Sequence, residues 1–127
     1  MELDAVGIVV EDLERTRRFY RHLGLAIPED PEGHGHADVQ LAGGLRLMFD
    51  TVETIKSFDS SWSRGDGAPT ASLAFSFGTP AEVDAKYQEL LEAGGGEHLA
   101  PWDAFWGMRY AVLRDPDGNG IDLYAQL

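Results

Sequence analysis

A chain of 127 residues with 43% hydrophobic content is long enough for one well-packed domain and too short for two ordinary ones. It has no cysteine, which excludes disulfides, thiolate zinc sites and a cysteine nucleophile. The formal charge of -12, from 22 acidic against 10 basic residues, argues against nucleic acid or an anionic membrane as a partner, because both need a basic surface. A cationic or neutral small ligand is easier to accommodate.

Leu3 to Val10 is apolar except for Asp4 and Gly7 and ends at Glu11-Asp12, the pattern of a buried strand followed by a helix N-cap at Asp12. From there Leu13, Thr16, Phe19-Tyr20 and Leu23 follow the helical period, and Gly24 stops the run, so residues 12–24 are expected to form a helix. Leu25-Ala26-Ile27 then reads as a short strand. Pro28 to Gly35 is a polar loop, and Ala37 to Leu41 alternates before a Gly43-Gly44 turn into Leu45-Arg46-Leu47-Met48-Phe49. Residues 51–69 lack a clean period and are read as a linker or mobile flap.

The same order then returns. Ser72 to Phe77 is a predicted strand, and Pro80 to Ala93 is a helix with Val83, Tyr87 and Leu90-Leu91 on its apolar face, ended by Gly94-Gly95-Gly96. Glu97 to Trp102, Met108 to Leu113 and Ile121 to Tyr124 supply three more strands. The last two are joined by Asp115-Pro116-Asp117-Gly118-Asn119-Gly120, a hairpin turn by composition. Alternation past it puts Ile121 and Leu123 on one face and Asp122 and Tyr124 on the other. The fold class is therefore α+β: two tandem βαβββ modules, 1–50 and 70–127, whose curved mixed sheets surround a cup with the helices on the outer faces. The whole is taken as one domain over 1–127. With no basic and apolar leader and no apolar run long enough to span a bilayer, a soluble, cytoplasmic protein is expected.

Val6-Gly7-Ile8-Val9-Val10-Glu11-Asp12-Leu13 and Phe19-Tyr20-Arg21-His22-Leu23-Gly24-Leu25 near the start, with Trp106-Gly107-Met108-Arg109 and Asp115-Pro116-Asp117-Gly118-Asn119 near the end, resemble the vicinal-oxygen-chelate superfamily. That superfamily includes glyoxalases, extradiol dioxygenases, fosfomycin-resistance enzymes and bleomycin-resistance proteins. The resemblance covers nearly the whole chain and is specific for the superfamily, not for an activity. It implies metal ligands on four cup-facing strands, at positions that fall here on Ala5, Arg46, Ser72 and Asp122. Ala5 cannot coordinate, Ser72 is a poor neutral ligand and Arg46 repels a cation, so no metal and no other cofactor is expected. The resemblance also implies a homodimer.

The histidines do not replace those ligands. His22 lies on the first helix, His98 opens a later strand, and His34 and His36 flank a glycine loop, so none is expected at a cup-facing strand position. Arg46 and Asp122 are instead expected to meet as an ion pair at the cup floor. Around it stand Met48, Phe58, Trp62, Ser72, Ala74, Ser76, Trp102, Phe105, Trp106, Tyr110 and Tyr124, the aromatic and small residues of a small-molecule site. Trp102 and Trp106 are placed on a loop before a strand, and Phe49, Phe75 and Phe77 are assigned to the core. No nucleophile-base arrangement or phosphate loop is present. The reading is a metal-independent small-molecule binder, for an antibiotic or another aromatic ligand, of the bleomycin-resistance type. The alternatives are a metal-dependent lyase, isomerase or dioxygenase, or a metal-free enzyme with Asp122 as base; no catalytic residue is otherwise assigned.

Overall fold

Asp12 starts the first helix as its position predicts. In a computed structural model that describes residues 1–127, its carboxylate accepts the backbone N–H groups of Glu14 and Arg15 at 2.9 and 3.1 Å, two of the donors that a helix start leaves without partners. Helix α1 covers Leu13–Tyr20 and tightens into a 3-10 turn over Arg21–Leu23. Gly24, at φ 77, takes the left-handed turn that ends it. The chain divides into two compact units, residues 1–66 and 67–127.

In the first unit β1 (Ala5–Val10), β2 (His36–Gln40) and β3 (Arg46–Thr51) form a sheet of order β1-β3-β2, with β1 parallel and β2 antiparallel to β3. Leu47 and Phe49 of β3 are buried, and the ring of Tyr20 from α1 packs 5.4 Å from that of Phe49. The opposite parity of β3 gives Arg46, Met48 and Asp50 to the other face, beside Asp38 and His36 of β2.

Two expectations are corrected in this unit. Leu25-Ala26-Ile27 forms no strand: Ile27 is buried, but the segment pairs with nothing before Pro28, which has no N–H to offer a ladder. The first module accordingly has three strands, where the second has four. Within the stretch read as a linker lies helix α2 (Val52–Phe58), capped by Thr51, whose hydroxyl accepts the N–H of Thr54 at 3.2 Å. Seven residues are two turns, too few for a hydrophobic period to show in the sequence.

The second unit follows the βαβββ order: β4 (Ser72–Ser76), α3 (Pro80–Glu92), β5 (Gly96–Asp103), β6 (Met108–Arg114) and β7 (Gly120–Gln126). Its sheet runs β4-β7-β6-β5, with β4 parallel to β7 and the other pairs antiparallel. Helix α3 begins with a reciprocal capping box between Thr79 and Glu82 and has Pro80 at its first turn. Its Val83, Tyr87 and Leu90 are buried, as are Ala111, Leu113, Ile121 and Leu123 of the strands it packs on.

The hairpin between β6 and β7 owes its shape to Asp115. This carboxylate, 3% exposed, accepts the backbone N–H groups of Asp117 and Asn119 at 2.8 and 2.9 Å and the Asn119 side-chain amide at 2.8 Å. Asx bonding of this kind closes the turn, and Gly118 supplies its one left-handed residue, at φ 88. No helix of the protein is long and apolar enough to cross a membrane.

Candidate functional site

The face of the second sheet opposite α3 collects the side chains that parity excludes from the core. Cross-strand register aligns them in rows. Ser76, Tyr124, Tyr110 and Trp102 stand across β4, β7, β6 and β5, and the next row holds Ala74, Asp122, Val112 and Leu99. The rings of Tyr110 and Tyr124 stack at 6.0 Å with an interplanar angle of 18°. Trp102 meets Tyr110 edge-on at 5.6 Å, and Trp106, from the turn after β5, meets Tyr110 at 5.3 Å and Trp102 at 6.0 Å. Phe105 extends the array, 5.0 Å from Trp106, and is almost fully exposed. Edge-to-face and offset contacts of this length are favourable in themselves, so the rings brace one another.

One carboxylate lies against these rings. The Tyr110 hydroxyl donates to Asp122 Oδ2 at 2.5 Å. Burial, reinforced by that hydrogen bond and the charge of Asp122, pushes the Tyr110 phenol up to about 12, so the hydroxyl stays a donor at any physiological pH. Beside Asp122 opens a concavity of about 300 Å³ whose polar lining includes Thr70, Ser72, His98 and Arg114.

The structure thus brings together Ser72, Ala74, Trp102, Trp106, Tyr110, Asp122 and Tyr124 of the residues singled out from the sequence. Trp102 sits within β5 opposite Tyr110 instead of on a loop, because β5 runs on through Pro101 with a break in register between Leu99 and Trp102. Arg46, Met48, Phe58 and Trp62 belong to the first unit. There Phe58 ends α2 largely exposed, and the Arg64 guanidinium lies over the Trp62 ring at 5.9 Å.

The expected pairing of Arg46 with Asp122 would join the two units, and Arg46 has carboxylate partners within its own. Arg46 donates to Asp4 Oδ2 at 2.8 Å through Nη2 and to Asp38 Oδ1 at 2.8 Å through Nη1, and Asp4, chiefly, raises the guanidinium's pKa further. Each of the two groups has its partners inside its own unit. The reason is register: β2 carries Asp38 on the same sheet face as Arg46, and Asp4 ends the segment just before β1, whose first residue pairs with Arg46. Sequence parity alone does not say which strand will be the neighbour.

The expectation for His36 is corrected. It opens β2 and lies on the face that Arg46, Met48 and Asp50 share, its Nδ1 2.6 Å from Asp50 Oδ1 and its Nε2 3.3 Å from Asp38 Oδ1. The Asp50 contact, above all, raises its pKa. Extending the alternation of Ala37-Asp38-Val39-Gln40 back by one residue would have placed His36 there. His34 stays on the loop beside Glu32, and His98, on β5, lines the concavity beside Asp122.

These contacts bear on a metal. Ala5 stands opposite Arg46 in the β1–β3 register, so one position lacks a donor and the next holds a cation already fixed by two carboxylates. Asp122 is the single charged donor among the four positions, and nowhere do three or more His, Asp or Glu side chains converge to hold a metal ion. That donor set does not fit a divalent metal.

Comparison with known proteins agrees with this architecture. The family model for the glyoxalase/bleomycin resistance protein/dioxygenase superfamily matches residues 2–123. An uncharacterized protein of Mycobacterium bovis is 31% identical over 84 residues, 66% of this chain and 53% of that protein. One from Mycobacterium tuberculosis is equally similar, with 48% of its length covered, so the chain spans about half the length of the curated relatives it matches. Among solved structures, a glyoxalase/bleomycin resistance protein/dioxygenase family enzyme from Burkholderia phytofirmans superposes with a TM-score of 0.84 at 22% identity, over 100% of both chains. A glyoxalase-related enzyme from Fulvimarina pelagi superposes at 0.82 with 21% identity, over 98% of this chain and 88% of that one. At these identities the likeness is one of fold.

Proposed function

The chain belongs to the glyoxalase/bleomycin resistance protein/dioxygenase superfamily, and within it we propose a metal-independent binder of a small, flat, cationic molecule, an antibiotic among the candidates. The observation that carries this reading is the Tyr110–Asp122 hydrogen bond set inside the array of Trp102, Trp106, Tyr110 and Tyr124. Ring faces attract a cation through their quadrupoles, and a carboxylate that accepts one hydrogen bond through Oδ2 has its second oxygen left for the ligand. The net charge of -12 draws a cation toward the protein and an anion away from it. Binding is the whole of the proposed activity: stacking on the indoles, charge neutralisation at Asp122, and release without a bond being made. The protein is proposed to act as a homodimer in the cytoplasm.

A metal-free enzyme with Asp122 as base would act through Oδ1, since Tyr110 occupies Oδ2. The test uses purified protein. Metal analysis comes first, and a stoichiometric, tightly held divalent ion would refute the reading in favour of a metal-dependent lyase, isomerase or dioxygenase. Screening aromatic cations by tryptophan fluorescence follows, with product analysis of every binder. Saturable quenching with the compound recovered unchanged is the expected result, and chemical conversion of the compound would replace binding with catalysis.

A further inference from the structure

Arg114 is the cation that the site's own carboxylate does not account for. Arg46 is held by Asp4 and Asp38, and Arg109 by Asp84 and Asp103. Arg114 has instead a single long hydrogen bond, 3.5 Å from Nη1 to the carbonyl oxygen of its neighbour Leu113. In a chain with 22 acidic residues, a half-buried guanidinium without a carboxylate has donors to spare.

Its surroundings are open by construction. The cross-strand partners of Arg114 are Gly96 on β5 and Gly120 on β7, so no side chain stands beside it on either strand. A Cβ at Gly96 would meet the Arg114 Cβ at 3.3 Å, and one at Gly120 would come within 2.9 Å of the Ser72 Cβ. The two glycines therefore leave room, on one side for the arginine stem and on the other for close approach of β4. What remains is the concavity lined by Thr70, Ser72, His98, Arg114 and Asp122, whose lining adds two hydroxyl residues and a histidine to the arginine.

Along β6 and β7 the face reads in steps of two residues: Tyr110 with Tyr124, then Val112 with Asp122, then Arg114 with Gly120. Each step is about 6–7 Å. We propose that the ligand carries an anionic group that Arg114 binds in this concavity, so that the site takes an aromatic zwitterion with its ring on the Trp102–Tyr110 row, its ammonium at Asp122 and its carboxylate at Arg114. The inference rests on the cation-binding reading above and deepens it. Arg46 does not offer the same binding, because Asp4 and Asp38 already neutralise it. A planar guanidinium is suited to a carboxylate because it presents paired N–H donors in fixed geometry.

A matched pair of probes tests it: L-phenylalanine, and phenethylamine, which keeps the ring and the ammonium but lacks the carboxylate. Binding of both to the full chain is followed by tryptophan fluorescence in the wild type, Arg114→Gln and Arg114→Lys, and in the wild type also by the Arg114 Nε–H resonance. The wild type is expected to prefer phenylalanine by about tenfold. That preference should vanish in Arg114→Gln and return in part in Arg114→Lys, with phenethylamine affinity constant throughout. Phenethylamine binding with no gain from the carboxylate, or a preference that survives Arg114→Gln, overturns the Arg114 subsite and leaves the cation site standing. Failure of both probes to bind overturns the cation site, and this inference with it.

Discussion

Tyr110 and Asp122 lie on neighbouring strands of one sheet face, and the phenol donates to the carboxylate at 2.5 Å. The bond ties a phenol that burial keeps neutral to the neighbouring carboxylate, and it fixes the central ring of the aromatic array. Because Tyr110 is the tyrosine whose folded-state pKa is raised to about 12, its contribution to stability is complete below the unfolded value near 10. It is lost as pH rises from there to 12. A spectrophotometric titration should show one tyrosine ionising near 12, and in Asp122→Asn that midpoint should fall while burial still holds it above 10. An unchanged midpoint in the variant would mean the hydrogen bond is not formed.

Replacing Trp106 by Ala should weaken any aromatic cation that binds the wild type by on the order of tenfold. The fold should be unaffected, since Trp106 is 46% exposed and sits on a turn. Equilibrium titration beside a thermal melt separates the two effects; equal affinity in the variant would take Trp106 out of the site.

His36 should titrate above its ordinary value because Asp50, and then Asp38, favour the imidazolium. A raised folded-state pKa gives stability that is whole below about 6.5 and declines as pH climbs through the folded value. Asp50→Asn should lower the His36 midpoint measured by NMR and flatten that decline. A midpoint that does not move would show the 2.6 Å contact to be absent in solution.

Gly120→Ala places a methyl group 2.9 Å from the Ser72 Cβ and 3.1 Å from the Ala71 carbonyl oxygen. Strand β4 must shift, and a loss of about 1–3 kcal/mol is expected from urea unfolding. Leu123→Ala, which empties a fully buried position under α3, should cost about 2–5 kcal/mol by the same measurement.

Local chemistry made much of this protein legible in its sequence. Asp12 and Gly24 bound the first helix, Pro80 starts the third, and the Asp115–Gly120 turn with the alternation beyond it puts Asp122 and Tyr124 on the face opposite Ile121 and Leu123. These features depend on φ, on capping and on the period of two, all set within a few residues. What the sequence could not decide is which strand lies beside which. That choice gives Arg46 to Asp4 and Asp38, brings His36 to Asp50, seats Trp102 opposite Tyr110, and leaves Arg114 between two glycines. Register is fixed by burying each sheet's apolar face under its helix, a property of the packed unit, and the pairing of every polar group on the opposite face follows from it.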